Sequence, residues 1–401
     1  MTDFRLPGDR GVRRGILMTQ FMTLFSYEFK KIFSPRMKLL VLAAVAAFLF
    51  FASAQRYFTE NPETDAWKAE HLLDGRLMDE VFFSEMREDD NADPDGLWRY
   101  ATLHVMRVFK YNEPTSIIHS SEERENWTEE QFYATRERVI REFEDAFFLT
   151  NEEKNYWEQL ENANEKPFVY RSTRAIRNLR DTYQFSAAIT CMLIAVFLAG
   201  SFAGEGENRT DAIVYSSKLG HGYTLAAKLA AGCVFSLAIS VIMLFAAHIP
   251  VVIFSGLHGL DAPWYMVMPL SRLSIKAWKM LLMHSLVCIL GCVLTGLLTM
   301  VLSLVFGRSI TAAGTIFVVI LLDLFGNVPT SMRLLSQIRY LTPITILLNT
   351  DIPDMRLTKL FGKYLISFQI GPLIYGLCGM ILVVAAVRIF RMRYVWHRSV
   401  K

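Results

Sequence analysis

The chain of 401 residues carries 42 Lys+Arg against 39 Asp+Glu, a net charge of +3, with 52% hydrophobic residues and a mean hydropathy of +0.27. Only 20% of residues are charged, below the roughly one quarter usual in soluble proteins, which excludes a single soluble domain, a disordered chain, a coiled coil and a disulfide miniprotein. The charges are segregated: Gln55–Tyr183 holds 17 basic and 29 acidic residues, a net of −12, and the remainder holds 25 and 10, a net of +15.

Residues 1–36 form a basic tail. Within it Ile16–Ser34 is amphipathic, with Leu17, Phe21, Leu24, Phe25, Phe29 and Ile32 on one face and Glu28, Lys30 and Lys31 elsewhere. This predicts an interfacial helix on the inner leaflet, broken at Pro35. Leu39–Gln55 is then free of charge and predicts a first span over 37–55, with Lys38 snorkelling at its end. Its apolar core begins too late for a cleavable signal peptide. The acidic stretch 56–182 reads as helices: 91–96 is a turn, Thr128-Glu129-Glu130-Gln131 and Thr150-Asn151-Glu152-Glu153 have capping-box spacing, and Phe132, Val139, Ile140, Phe143 and Phe147 keep a helical stripe.

Five more apolar runs follow. Four are uncharged, namely Thr182–Gly204, Leu229–Leu260, Met280–Gly307 and Tyr364–Val387, and Ser309–Met332 is interrupted only by Asp323. Each is about long enough to cross a bilayer core of roughly 30 Å as a helix, where only helices satisfy their own backbone groups. The expected spans are 183–204, 223–254, 279–306, 309–328 and 367–388, with Pro250 marking the exit of the third span. The expected fold is thus an all-α polytopic membrane protein of six transmembrane helices, with a large helical extracellular domain between the first two.

Both tails, 1–36 and 389–401, are rich in Lys and Arg, and an even number of spans puts them on one side, the cytoplasm. Residues 56–182 then lie outside, 205–222 form an inner loop, and 329–366 form an outer loop with short helices. Arg171, Arg174, Arg177 and Arg180, and the loop residues Arg333, Arg339, Arg356, Lys359 and Lys363, fall on the outer side and are expected at lipid headgroups. All five cysteines lie in the spans, so no disulfide holds the outer domain, which favours a bacterial cell membrane.

No catalytic constellation is present: there is no His-Glu-x-x-His, no Gly-x-Ser-x-Gly and no Cys-x-x-Cys. His71, His104 and His119 are far apart and predict no metal site, and Glu122-Glu123 and Glu152-Glu153 fit solvated helix starts. His248 and His284 could face each other across two spans, where packing is the simpler role. Gly291, Gly296, Ala312 and Gly314 suit close helix approach. Asp323 is the one clear carboxylate within a span and hence an intramembrane candidate, though Gly326 and Pro329 place it near the outer headgroups.

The inner loop runs Ser201-Phe202-Ala203-Gly204-Glu205-Gly206-Glu207-Asn208-Arg209-Thr210-Asp211, then Ser216-Ser217-Lys218-Leu219-Gly220-His221-Gly222, and ends near Lys228. Here the chain resembles ABC-2-type permeases, the membrane subunits of ATP-binding-cassette exporters. An acidic residue closing the second span, a small-residue turn and a Lys opening the third span carry the resemblance, as do Tyr27–Lys31 before the first span and Pro343 before the last. His221 stands where the family more often has Arg. The resemblance implies that Glu205, Glu207, Arg209, Asp211, Lys218, Gly220 and His221 couple to a cytoplasmic ATPase.

The chain has no Gly-x-x-x-x-Gly-Lys-[Ser/Thr] loop, so it needs no cofactor of its own and ATP with magnesium belongs to the partner. The implied partners are that ATPase, a second permease subunit and the lipid bilayer, with no nucleic acid. The implied function is export of an amphipathic or lipid-like compound such as a drug, peptide or antibiotic. The rival is a receptor whose acidic outer domain senses a ligand and whose inner loop recruits a signalling protein.

Overall fold

The computed structural model describes residues 9–34, 36–59, 72–92, 98–109, 127–210, 222–347 and 355–399. Among them the helices are α1 Asp9–Ile32, α2 Met37–Thr59, α3 Glu80–Ala92, α4 Arg99–Phe109, α5 Glu129–Ala146, α6 Asn151–Asn162, α7 Arg174–Leu198, α8 Gly200–Glu207, α9 Tyr223–Ser255, α10 Trp264–Val267, α11 Ala277–Phe306, α12 Ser309–Phe325, α13 Arg333–Tyr340, α14 Pro343–Ile346 and α15 Ser367–Ser399. A two-stranded antiparallel hairpin, β1 Thr358–Leu360 and β2 Lys363–Leu365, interrupts the last loop. The apolar runs did not foretell it. Its turn puts Phe361 and Gly362 at φ 48° and 79°, the left-handed pair that fits the twist of a tight hairpin.

Among the described residues, five helical stretches are long and apolar enough to cross a membrane: Met37–Gln55, Arg174–Glu207, Tyr223–Ser255, Ala277–Phe306 and Ser367–Met392. The expected sixth, Ser309–Phe325, has 17 residues, about 26 Å at 1.5 Å per residue and short of a full hydrocarbon core. Its apolar run, interrupted only by Asp323, continues to Met332, but the helix stops at Phe325, where Gly326 leaves the helical conformation and Pro329 follows. The second apolar helix starts eight residues before its uncharged run, at Arg174, and Pro250 lies inside α9 instead of ending it.

Helices α7, α9 and α11 pack on one another; α2 lies on α9, α15 lies on α11, and α12 contacts α7 and α11. Small residues bring the central helices together. A Cβ on Gly296 would stand 2.1 Å from Ser236 Oγ, and one on Gly291 would stand 2.4 Å from Pro343 Cβ. Ala312 is fully buried, whereas Gly314 faces open space and takes no part in this packing.

Phe82, Phe83, Trp98, Val105, Phe132, Val139 and Ile140 are buried in the acidic block, within one hydrophobic cluster that continues into the bundle. Thr128 caps α5 through Gln131 N at 3.3 Å, and Thr150 with Glu153 completes a reciprocal capping box on α6. This block is bound to two loops of the bundle. Arg136, 1% exposed, donates to Pro269 O and Ser271 O at 2.7 Å each and to Glu161 Oε1 at 2.6 Å. Arg272 pairs with Glu137 and Glu144 at 3.2 and 3.1 Å.

From the other loop, Arg333 Nη2 donates to both carboxylate oxygens of Glu153 at 2.8 and 2.7 Å, Leu357 N donates to Glu153 Oε1 at 3.0 Å, and Trp157 Nε1 donates to Met355 O at 2.6 Å. Lys359 pairs with Glu152 at 2.8 Å. Burial works to raise the Glu153 carboxyl, but the bonds from Arg333, Thr150 and Leu357 together hold it below the usual carboxylate range.

These contacts correct two expectations. Glu153 is buried and not a solvated helix start. Several basic residues assigned to headgroups are engaged by protein: Arg171 pairs with Asp74 at 3.1 Å, Arg180 with Asp181 at 3.1 Å, and Arg177, Arg180 and Arg356 are buried. The physical reason is that the acidic stretch supplies carboxylates within ion-pair distance of these side chains.

Candidate functional site

The residues singled out in the loop after α7 divide into two groups. Glu205, Glu207 and Arg209 are described; Asp211, Lys218, Gly220 and His221 lie outside the described residues. Helix α8 continues the line of α7 past a short break at Ala199. Ser303 of α11 holds that break: its hydroxyl donates to Ala199 O and accepts from Ala203 N at 2.9 Å.

Glu205 does not point at solvent. Its Oε1 accepts from Lys228 Nζ of α9 and from Lys31 Nζ of α1, the latter at 3.2 Å. Lys228 is buried with its side chain 1% exposed; it also donates to Ser201 O at 2.8 Å, lies 3.7 Å from Glu28 Oε2, and sits 5.2 Å over the Phe202 ring. Burial pushes the Glu28 carboxyl up, and Lys228 and Lys31 oppose that shift. An aromatic row Phe25, Phe29, Phe33 and Phe235 seats α1 on α9 beside this cluster.

Lys38 is half-buried, and its Nζ donates to Ile32 O at 3.0 Å across the junction of α1 and α2. Together Glu28, Lys31, Lys38 and Lys228 border a pocket with about 350 Å³ of empty space, its open mouth included.

Glu207 has a different partner. Its two oxygens accept from Ser309 N at 2.7 Å and Ser309 Oγ at 2.9 Å, so it occupies the N-terminus of α12, where a carboxylate is favoured. Arg209 is exposed and closes α8: Thr210 N donates to Glu205 O at 2.9 Å and Arg209 N to Gly206 O at 3.1 Å, with Arg209 at φ 55°. That position usually belongs to Gly, so a side-chain residue there carries backbone strain.

Asp323 lies near the end of α12, at the opposite end of that helix. Its Oδ1 accepts from Thr342 Oγ1 and Thr345 Oγ1, both at 2.6 Å, which ties α14 to α12. His248 and His284 do not meet; they flank the Tyr183 ring at 4.3 and 5.4 Å between centroids. Among the described residues no group of His, Cys, Asp or Glu could hold a metal ion.

Sequence reasoning missed Glu28 and Ser309 and did not nominate Lys228. A lone Lys directly before a long uncharged run was the available signal for Lys228. Glu28 lies within the Tyr27–Lys31 run that already carried the resemblance, and nothing local marks Ser309.

A helical chain with several membrane-length helices, whose short helix α8 is fixed to four others at one end, is a multi-pass membrane protein with a wired loop. The family described as ABC-2 family transporter protein matches residues 22–393, most of the chain, and the chain belongs to that family. The family is a membrane transport component, not itself catalytic, and membership implies association with an ABC ATPase subunit. Comparison with curated proteins and with solved structures gave no match.

Proposed function

We propose that the chain is the permease subunit of an ATP-driven exporter, with α12 serving as a sixth span, both tails cytoplasmic and residues 56–182 extracellular. A cytoplasmic ATPase docks on 205–222, the short helix α8 moves with it, and two permease subunits pass an amphipathic or lipid-like cargo along their interface. ATP and magnesium stay in the partner.

The observation that carries this reading is the wiring of α8. Its Glu205 is joined to α1 and α9, its Glu207 to α12, and its start to α11 through Ser303. A rigid-body push on the loop is thereby delivered to most of the bundle at once, as a two-state domain motion requires. The exposed apolar faces of α2 and α15, among them Phe48, Phe51, Leu373, Leu377 and Met380, suit lipid or a second subunit.

Charge reversal at Glu205 or Glu207 would break contacts inside the bundle, so docking is tested at exposed Arg209. A soluble ATPase should co-purify with the wild-type chain and be lost with Arg209→Glu while the variant still folds. Recovery of the intact chain without any ATPase, in membranes where its partner is co-expressed, refutes the reading.

A further inference from the structure

Helix α13 is amphipathic in the opposite sense to a surface helix of a soluble protein, whose apolar stripe faces the core. With 3.6 residues per turn, Leu334, Leu335 and Ile338 share one side of it, and Arg333, Ser336, Gln337 and Tyr340 share the other. The polar side is the one that meets protein. Ser336 is fully buried and accepts from Arg356 Nη1 at 2.5 Å, Arg333 reaches Glu153, and Gln337 Nε2 donates to Thr358 Oγ1 of β1 at 3.4 Å. The apolar side is left outside, with Leu334 74% exposed and Leu335 and Ile338 exposed beside it.

The hairpin that Gln337 ties to α13 shows the same inversion. Phe361 at its tip is 96% exposed and holds φ 48°, a conformation unfavourable for a bulky residue, in a turn where Asn-Gly is usual. At that exposure no packing inside the chain offsets the strain. Strand β2 ends at Leu365, and the membrane-length stretch Ser367–Met392 begins two residues later, so the hairpin adjoins the end of a span. Apolar exposure continues onto Leu322 and Phe325 at the end of α12. From Leu324 to Thr350 the sequence has no Asp or Glu, and Lys363 beside the tip is exposed.

We propose that α13 and the hairpin tip lie in the membrane, with Leu334, Leu335, Ile338 and Phe361 among the lipids of the leaflet on the acidic block's side. An outward apolar face is favourable only in an apolar surrounding, and beside the end of a span the bilayer is that surrounding. An aromatic tip next to a lysine, in a stretch without carboxylates, also suits the headgroup level. The acidic block is then held to the leaflet through Glu153 and Arg333 as well as to the bundle. The inference rests on the chain being a multi-pass membrane protein and not on the exporter reading, because lipid contact is read on the chain alone.

The test places a nitrobenzoxadiazole fluorophore on Leu334→Cys and, separately, on Phe361→Cys in the full chain in phosphatidylcholine nanodiscs. The five native cysteines are buried or half-buried, and wild type treated with the same reagent sets the background. At both sites, emission should fall more with lipid carrying a nitroxide near its headgroup than with a water-soluble nickel chelate. Equal or greater loss to the chelate marks a face in water and overturns the proposal. Little loss to either quencher marks a face covered by protein, such as a second copy, and overturns it too.

If a variant fails to fold, hydroxyl-radical footprinting of the wild-type chain in the same nanodiscs decides. Leu334 and Phe361 should stay unoxidised while Leu72 and Val81, exposed in the acidic block, are modified. Oxidation of Leu334 or Phe361 alongside them overturns the proposal.

Discussion

Replacing Lys228 by Met removes the cation on which the α8 junction converges while keeping a long apolar side chain. Three acceptors lose it: Glu205 Oε1, Ser201 O at 2.8 Å and Glu28 Oε2 at 3.7 Å. Glu205 keeps Lys31 at 3.2 Å, so the carboxylate that loses its nearest cation is Glu28, whose side chain is 10% exposed and which keeps only the more distant pull of Lys31. Breaking a buried ion pair by removing one partner costs about 3–5 kcal/mol.

The surviving Lys31–Glu205 pair puts Lys228→Met at the lower end, about 3 kcal/mol, or roughly a hundredfold in the folded-to-unfolded ratio. Glu28→Gln added to Lys228→Met removes the orphaned charge and should recover at least half of that loss. Denaturant unfolding of the chain in nanodiscs measures both. In the assembled transporter, Lys228→Met should also lower cargo moved per ATP hydrolysed. A single variant within about 0.5 kcal/mol of wild type, the usual range of surface substitutions, would refute the reasoning. A double variant no better than the single one would do so as well.

The other expectations concern the remaining contacts. Arg209→Gly relieves a left-handed side-chain residue and should stabilise the end of α8 by about 1 kcal/mol, while ATPase docking weakens; calorimetry and pull-down read the two effects separately. Gly296→Ala drives a Cβ to 2.1 Å from Ser236 Oγ and should cost about 1–3 kcal/mol, whereas Gly314→Ala, facing open space, should be neutral or stabilising by up to about 1 kcal/mol in the same unfolding assay.

Glu153 and Glu161 are held below their ordinary value of 4.5, so their contribution to block docking is present above that value and is lost as pH falls through the lowered one. Limited proteolysis of the block should therefore accelerate below about pH 4.5, and Glu153→Gln should already be cleaved faster at neutral pH. Equal cleavage of variant and wild type at neutral pH would remove Glu153 from the docking contact.

What could be read before the structure was what depends on neighbours in sequence. Charge-free runs located the membrane-length helices because a bilayer core tolerates few charges over about 20 residues. The caps at Thr128 and Thr150 were legible because a capping box spans four residues. The end of α12 was misjudged because hydropathy is blind to the conformational break at Gly326 and Pro329. The ion pairs were illegible for a different reason: Lys228 and Glu205 are 23 residues apart, Lys31 and Glu205 174, and Arg333 and Glu153 180. No local pattern carries such a partnership, and a basic residue near a membrane looks the same whether it meets a phosphate or a carboxylate.

The near-neutral total of +3 acquires a physical meaning from those pairings. The acidic block is not a separate charged body. It neutralises the basic loops of the bundle, and it does so at two places with unequal exposure. Arg136, 1% exposed, fastens the block to the loop between α9 and α11, while Arg333, with its side chain 36% exposed, fastens it to the loop between α12 and α15. The first contact is closed to water, and at the second only Arg333 is open to it, since Glu153 and Trp157 are buried. Helix α12 joins the two ends of the bundle, with Glu207 on Ser309 at its start and Asp323 on Thr342 and Thr345 near its end. Through these contacts α12 links α8 to α14.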